Sequence, residues 1–304
     1  MAEEGGETQS VEEEEEILLP PPVEDEMPTF FHIGSCAKDC LITGYKIGVW
    51  HADTSSESKG LILKTYGDAK PDKKSISGGL ELRKIFEGLE LAQGWNTDQR
   101  VSTEITWRKP MGPSRLLASI LAKYNLEGET GLAATLKLGY DQRPYKFEVI
   151  VPVIQEPKLM GYFLAVPAQK WTLGYRTVYD MENKGFDKHA LCVGYNNGST
   201  ELGLKFENFE DWRGSIFQRM GERWAFALKA NCYKNDSTKF AFGGQYQLNE
   251  DTLLKAKVRD DGLMGLIYQS KVSDSIKVTY HLGFEGKHPL DGEHKIGVSW
   301  SLNC

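Results

Sequence analysis

The sequence predicts an all-β membrane protein, a single barrel of about nineteen strands preceded by a short amphipathic helix. Three observations predict it. From Tyr45 onward, apolar residues alternate with polar ones at a period of two. Clusters of Asn, Asp, Gly and Ser divide that stretch into about nineteen segments. No apolar run reaches the roughly 18 residues that a membrane-spanning helix needs, whereas alternating strands dilute their own hydropathy and still cross a bilayer.

Residues 1–26 contain ten Glu, one Asp and no Lys or Arg, with Glu12 to Glu16 and Pro20 to Pro22 in succession. Like charges repel and nothing there builds a core, so the expectation is a disordered acidic tail. Subtracting those 11 acids from 43 leaves 32 acids against 36 bases in the remainder. The tail and the body are thus oppositely charged objects. Residues 27–44 form the second unit. Ile33, Cys36, Ala37, Cys40 and Leu41 fall on one face of a helix predicted over 30–43, and Ser35, Lys38 and Asp39 lie on the other. Gly44 is a stop signal and Gly48 a second flexible point.

Residues 45–304 form the third unit, the barrel. Trp224, Phe226, Leu228, Ala230 and Cys232 alternate with Ala225, Ala227, Lys229 and Asn231. Ile276, Val278, Tyr280 and Leu282 alternate with Lys277, Thr279 and His281, and Ile296, Val298, Trp300 and Leu302 with Lys295, Gly297, Ser299 and Ser301. Similar runs cover 101–107, 132–140, 145–153, 171–179, 202–206, 240–248 and 254–258. Turns separate them at Asn96-Thr97-Asp98, Asn196-Asn197-Gly198, Asn235-Asp236-Ser237, Asn249-Glu250-Asp251 and Asp260-Asp261-Gly262. The spacing, roughly 14 residues per strand plus turn, suits tilted spans of nine to eleven residues. Trp95, Trp107, Tyr140, Trp171, Tyr179, Trp224 and Trp300 sit near strand ends, where an interfacial belt belongs. On pattern alone a soluble β-sandwich or propeller stays open, although no repeat of blade length exists.

Five cysteines, odd in number and without a CxxC, form neither a disulfide framework nor a zinc site. Cys36 and Cys40 read as buried small hydrophobes and not as a redox pair. Neither a secretory signal nor an Arg-rich transit helix is visible. No G-x-S-x-G, P-loop, HExxH or Cys₂His₂ spacing offers catalytic chemistry, and no cofactor or metal is expected. Asn197-Gly198-Ser199 and Asn235-Asp236-Ser237 match glycosylation sequons but read more simply as turns.

From Pro28 to Leu302 the chain resembles the eukaryotic mitochondrial porins, the voltage-dependent anion-selective channel family. Pro28-Thr29-Phe30, Lys38-Asp39 and Thr43-Gly44-Tyr45 resemble its N-terminal helix and glycine hinge. Trp95-Asn96-Thr97-Asp98 with Ser102-Thr103-Glu104-Ile105 resembles a second stretch, and Gly214-Ser215-Ile216-Phe217-Gln218 a shorter one. The third runs from Tyr268-Gln269-Ser270-Lys271 through Ile276-Lys277-Val278-Thr279 and Gly286-Lys287 to Gly292-Glu293-His294-Lys295-Ile296-Gly297. Lys295, Gly297, Trp300 and Leu302 fit an outer-membrane sorting signal. The resemblance implies a nineteen-strand barrel in the mitochondrial outer membrane with the helix inside the lumen. It implies passive diffusion of ions and small metabolites, including adenine nucleotides, and voltage gating. Partners are then the lipid bilayer, these permeants, cytosolic proteins and further copies of the barrel, with no nucleic acid.

The departures are specific. Gln93 stands where many relatives carry a membrane-facing Glu. Ser114-Arg115-Leu116 replaces a Gly-Leu-Lys element, Thr43 a frequent Lys, and the acidic tail has no counterpart in the common members. Alternation places Lys137, Arg176, Lys205, Lys229, Lys255, Lys257, Lys277 and Lys295 on the lumen face, opposed by Glu90, Glu104, Glu148, Glu201 and Glu207. Lys38 and Asp39 are the candidate charges on the helix itself. In a wide pore such charges select by sign, and the tail is expected to shift selectivity toward cations. Three other readings stay open: a poorly conducting scaffold, a protein-import barrel and a soluble binding protein.

Overall fold

The computed structural model describes residues 26–45, 50–69, 76–97, 100–125, 131–155, 157–234, 238–287 and 294–303. Of the expected tail over 1–26, all but Glu26 lies outside them, as do Gly48, Asp98, Asn235-Asp236-Ser237 and Gly292-Glu293. The first strands are β1 (Trp50–Ser58), β2 (Leu61–Ala69), β3 (Ile76–Ile85), β4 (Leu89–Asn96), β5 (Arg100–Met111), β6 (Ser114–Asn125), β7 (Leu132–Gln142), β8 (Tyr145–Ile154), β9 (Lys158–Ala168) and β10 (Trp171–Asp180). The rest are β11 (Gly185–Asn196), β12 (Thr200–Glu207), β13 (Asp211–Met220), β14 (Trp224–Cys232), β15 (Lys239–Asn249), β16 (Thr252–Arg259), β17 (Leu263–Ser273), β18 (Ile276–Glu285) and β19 (Lys295–Asn303).

Each strand pairs antiparallel with the next, and β1 pairs parallel with β19 to close one nineteen-stranded sheet. An odd number of alternating strands requires that one parallel seam. Closure leaves no open edge, which is the condition for a sheet to sit in lipid. The expected alternation sets the two faces. On β14, Trp224 and Leu228 are exposed outward while Ala225 and Ala227 are buried inward. The same holds for β18, with Tyr280 and Leu282 outward and Thr279 and His281 inward. Leu, Ile, Phe, Tyr and Trp cover the outer wall, and the protein is an integral membrane barrel. Among the described residues, no helix is long and apolar enough to cross a membrane. β1 departs from the apolar rule, for its outward row is Trp50, Ala52, Thr54, Ser56 and Ser58. Part of this polarity is satisfied locally, as the Thr54 and Thr65 hydroxyls lie 2.6 Å apart.

The N-terminal segment is less helical than its pattern suggests. Phe30–His32 is a 3-10 turn, and the α-helix proper, α1, covers only Ser35–Leu41. Gly34 separates them with φ +80°, a left-handed conformation that a helix interior does not contain. The expected 30–43 helix is therefore two pieces with a kink, which aims Phe30 and Ile33 at different strands from Ala37, Cys40 and Leu41. Gly44 ends the segment at φ +87°.

Candidate functional site in the barrel lumen

α1 lies against the inner wall over β13, β14 and β15. Ala37, Cys40 and Leu41 pack on Phe217, Ala225 and Ala227, while Phe30 packs on Tyr162, Ala190 and Cys192. Alanines and glycines on the inward rows admit this close approach. A Cβ on Gly203 would lie 3.4 Å from the Gly34 backbone, one on Gly243 2.7 Å from Leu41, and one on Gly265 2.6 Å from the Tyr45 ring. Burying one Leu side chain stabilises by roughly 1.5–3 kcal/mol, so seven helical residues have little apolar adhesion to hold them.

Charges on the wall add the rest. Helix ends expose unpaired N–H groups at one terminus and unpaired carbonyls at the other. Gly34 brings no side chain to cap the first end. Glu201 on the neighbouring strand β12 does so, accepting from the backbone N–H of Gly34 at 3.1 Å and of Cys36 at 2.7 Å. At the other end, Lys255 Nζ on β16 donates to the Asp39 carbonyl at 2.8 Å and lies 3.4 Å from its carboxylate. Lys257 Nζ donates to the Leu41 carbonyl at 2.8 Å and sits 4.1 Å over the Tyr45 ring. Hydrogen bonds to a charged group contribute about 1.5–3 kcal/mol each. The wall thus presents an acid to the positive end of α1 and cations to its negative end.

A second anchor holds the point of entry. Met27 is buried, its N–H donating to Asp141 at 2.9 Å and its carbonyl accepting from Lys146 at 3.0 Å. Lys146 also pairs with Glu26 at 3.0 Å and lies within 3.6 Å of Glu148, which is 3.3 Å from Lys137. Asp141 and Lys146 occupy the same inward rows as Lys137 and Glu148, and alternation alone would have found them.

The expected lumen cations therefore divide. Lys255 and Lys257 hold the helix and do not face the permeation path as free wall charges. Lys205, 5.3 Å from the Phe30 ring, and Lys229 line a crevice with Lys38 between helix and wall. Arg176 is buried, in register with Tyr162 and Ala190, beneath Phe30. Lys137 meets Glu148. Lys277 and Lys295 are the exposed members, one on each of the last two strands. Asp39 is half exposed beside Lys255. Among the acids, Glu207 pairs with Arg213 at 3.0 Å, Glu90 with Arg83 at 2.5 Å and with Arg108, and Glu104 accepts from Ser119 at 3.0 Å. The Glu90 and Glu104 contacts lie on β3 to β6, away from α1, whereas Glu207–Arg213 joins β12 to β13. Gln93 is on the outer wall beside Leu91 and Trp95, accepting from Thr103 at 2.7 Å. Lys295 and Gly297 face inward, and Trp300 and Leu302 outward.

Cys36 and Cys40 are not placed for redox chemistry. Burial, then the Glu201 carboxylate, push the Cys36 thiol up to about 12, and burial pushes Cys40 up to about 11. Raised values keep both as neutral thiols near pH 7. Cys40, on the wall side of α1, is fully buried, so maleimide reaches it only when the segment opens. At fixed pH, Glu201→Gln, or Lys255→Met with Lys257→Met, should speed Cys40 alkylation by about tenfold or more as α1 lifts away. Removing Lys255 alone works against the thiolate, because that cation lowers the Cys40 value. Acceleration in the lysine variant therefore reports opening and not chemistry.

Comparison with known proteins gives this architecture a family. The family profile described as eukaryotic porin matches residues 26–297. A voltage-dependent anion-selective channel of Drosophila melanogaster is 29% identical over 292 residues, covering 91% of this chain and 99% of its own. The non-selective voltage-gated ion channel VDAC1 of Homo sapiens is 27% identical, covering 89% and 96%. Among solved structures, a mutant of Rh. blastica porin aligns with a TM-score of 0.52 at 10% identity, covering 78% of this chain and 98% of that one, a likeness of fold alone. With a profile matched from the buried entry at Glu26 to the final strand, the chain belongs to the eukaryotic porin family.

Proposed function

We propose that the chain is a channel of the mitochondrial outer membrane for passive diffusion of ions and small metabolites, adenine nucleotides among them, that it is voltage-gated, and that its acidic tail shifts selectivity toward cations. The observation that carries the channel reading is the closed barrel whose helix lies to one side, over β13 to β15, leaving the charged inner face of β1 to β7 uncovered. Relatives named as voltage-dependent and voltage-gated channels support it. Lys38 and Asp39 would act on permeants where the helix narrows the lumen and the field is focused. The tail's role draws support from its anchor. Glu26 is tied to Lys146 at the end of the wall that carries the β7–β8 turn, and ten more acids precede it in sequence. Charge gathered at one mouth enriches counter-ions there, an effect screened over about 8 Å at 0.15 M salt and about 3 Å at 1 M.

Single-channel recording in a planar bilayer under a salt gradient tests both parts, using the full chain and a chain lacking residues 2–25 but keeping the Glu26 anchor. Stable large conductance is expected from both, with the reversal potential moving toward anions on deletion and the difference shrinking at high salt. Reversal potentials that coincide at low salt would remove the tail from selectivity. A folded barrel without conductance would instead favour a scaffold for cytosolic proteins.

A further inference from the structure

Among the described residues, the outer wall carries one imidazole where lipid is expected. His189 lies on the outward row of β11 with Leu191 and Val193. Its Nδ1 is 2.7 Å from the Tyr175 hydroxyl and 3.3 Å from that of Thr177, and its ring lies 5.1 Å from the Phe186 ring. We assign the Tyr175 hydroxyl as donor to Nδ1, which places the proton of a neutral ring on Nε2. Among the described residues, nothing accepts that proton. A polar hydrogen turned toward hydrocarbon with no acceptor is costly, so the site requires an acceptor from outside the protein.

The rim supplies the place for one. Pairing between β11 and β12 stops at Ala190↔Glu207. Asn208 caps it, bonding both the N–H and the carbonyl of His189 at 2.8 and 2.7 Å. The β10–β11 hairpin continues past this level, and the shorter β12–β13 hairpin turns at it. The result is a notch at the barrel rim, flanked by Phe186 and by Phe209, which is 76% exposed. His189 is four residues in from Gly185, about 9 Å below the strand end for a rise of roughly 3.3 Å and a tilt near 45°. At that depth the acceptors are interfacial water and the phosphate and ester oxygens of lipids, and the lipid oxygens alone come with acyl chains that the flanking rings can hold.

We propose that this notch is a binding site for a single phospholipid, with the His189 Nε2–H donating to a phosphate oxygen and the Phe186 and Phe209 rings against the upper acyl chains. Asn208 positions the imidazole through its backbone, and Tyr175 and Thr177 fix its tautomer. The inference rests on the membrane-facing outer wall and not on conduction, so the two readings fail separately.

Native mass spectrometry of the full chain, titrated in detergent with dioleoylphosphatidylglycerol, measures the site. One saturable lipid is expected, with affinity about tenfold above later additions. His189→Phe, which keeps the ring stack, should remove that first step, and His189→Gln, which restores an N–H, should recover part of it. Unchanged single-channel conductance and β-sheet circular dichroism would show that both variants fold. Equal lipid retention by His189→Phe overturns the proposal. Equal retention of dioleoylglycerol, which keeps the esters but lacks the phosphate, overturns it too.

Discussion

A seven-residue helix has three or four internal hydrogen bonds and cannot hold itself together in water. Inside the barrel it stands because its two ends are completed from the wall, by Glu201 at the N–H end and by Lys255 and Lys257 at the carbonyl end. Everything that gives the lumen its shape depends on that pair of contacts. They fix which strands are covered and hold Lys38 and Asp39 on the wall-bound segment. They also hold Ala37, Cys40 and Leu41 on the small inward residues of β13 to β15. Apolar burial alone would leave the segment free to slide along a wall of alanines and glycines, and the charges give it a register.

The same arrangement changes how the pore's electrostatics should be counted. A tally of inward cations overstates the positive charge that a permeating ion meets, because Lys255, Lys257 and Arg176 lie beneath or against the N-terminal segment. The uncovered wall is close to balanced. Arg83 and Arg108 share Glu90, and Glu104 is held by hydroxyls. The outer wall has its own polar exceptions. Thr54 with Thr65 and Gln93 with Thr103 satisfy each other in pairs, whereas the His189 ring keeps a donor that the protein leaves to the bilayer.

Period-two alternation made the barrel, its strand number and the direction of most side chains legible in the sequence, since a one-residue slip in register would put a lysine row into lipid. The extent of the helix was not legible in the same way. Ile33 and Phe30 fit the helical spacing, but Gly34 takes a left-handed conformation that breaks it, and a glycine at that position is equally compatible with a continuous helix. The roles of the charges were less legible still. Lys255 and Asp39 are 216 residues apart, and alternation says only that both face inward. Which inward residues meet the helix follows from where it lies around the barrel. The close-approach glycines Gly203, Gly243 and Gly265 mark that track, but among many glycines they carry no label. Residues given roles by resemblance alone, such as Gln93 and the sorting-signal set, gained a direction from the structure and no chemistry.

The clamped helix is tested most directly by the distance between it and the opposite wall. Spin labels at Lys38→Cys and Lys123→Cys, with the native cysteines replaced by alanine, span the lumen from α1 to β6, and pulsed electron double resonance reads the separation. A helix held at both ends gives one narrow distribution, which broadens when Glu201→Gln is combined with Lys255→Met and Lys257→Met. A broad distribution in the otherwise unaltered barrel, or a narrow one that survives all three substitutions, would show that something other than these charges holds the segment.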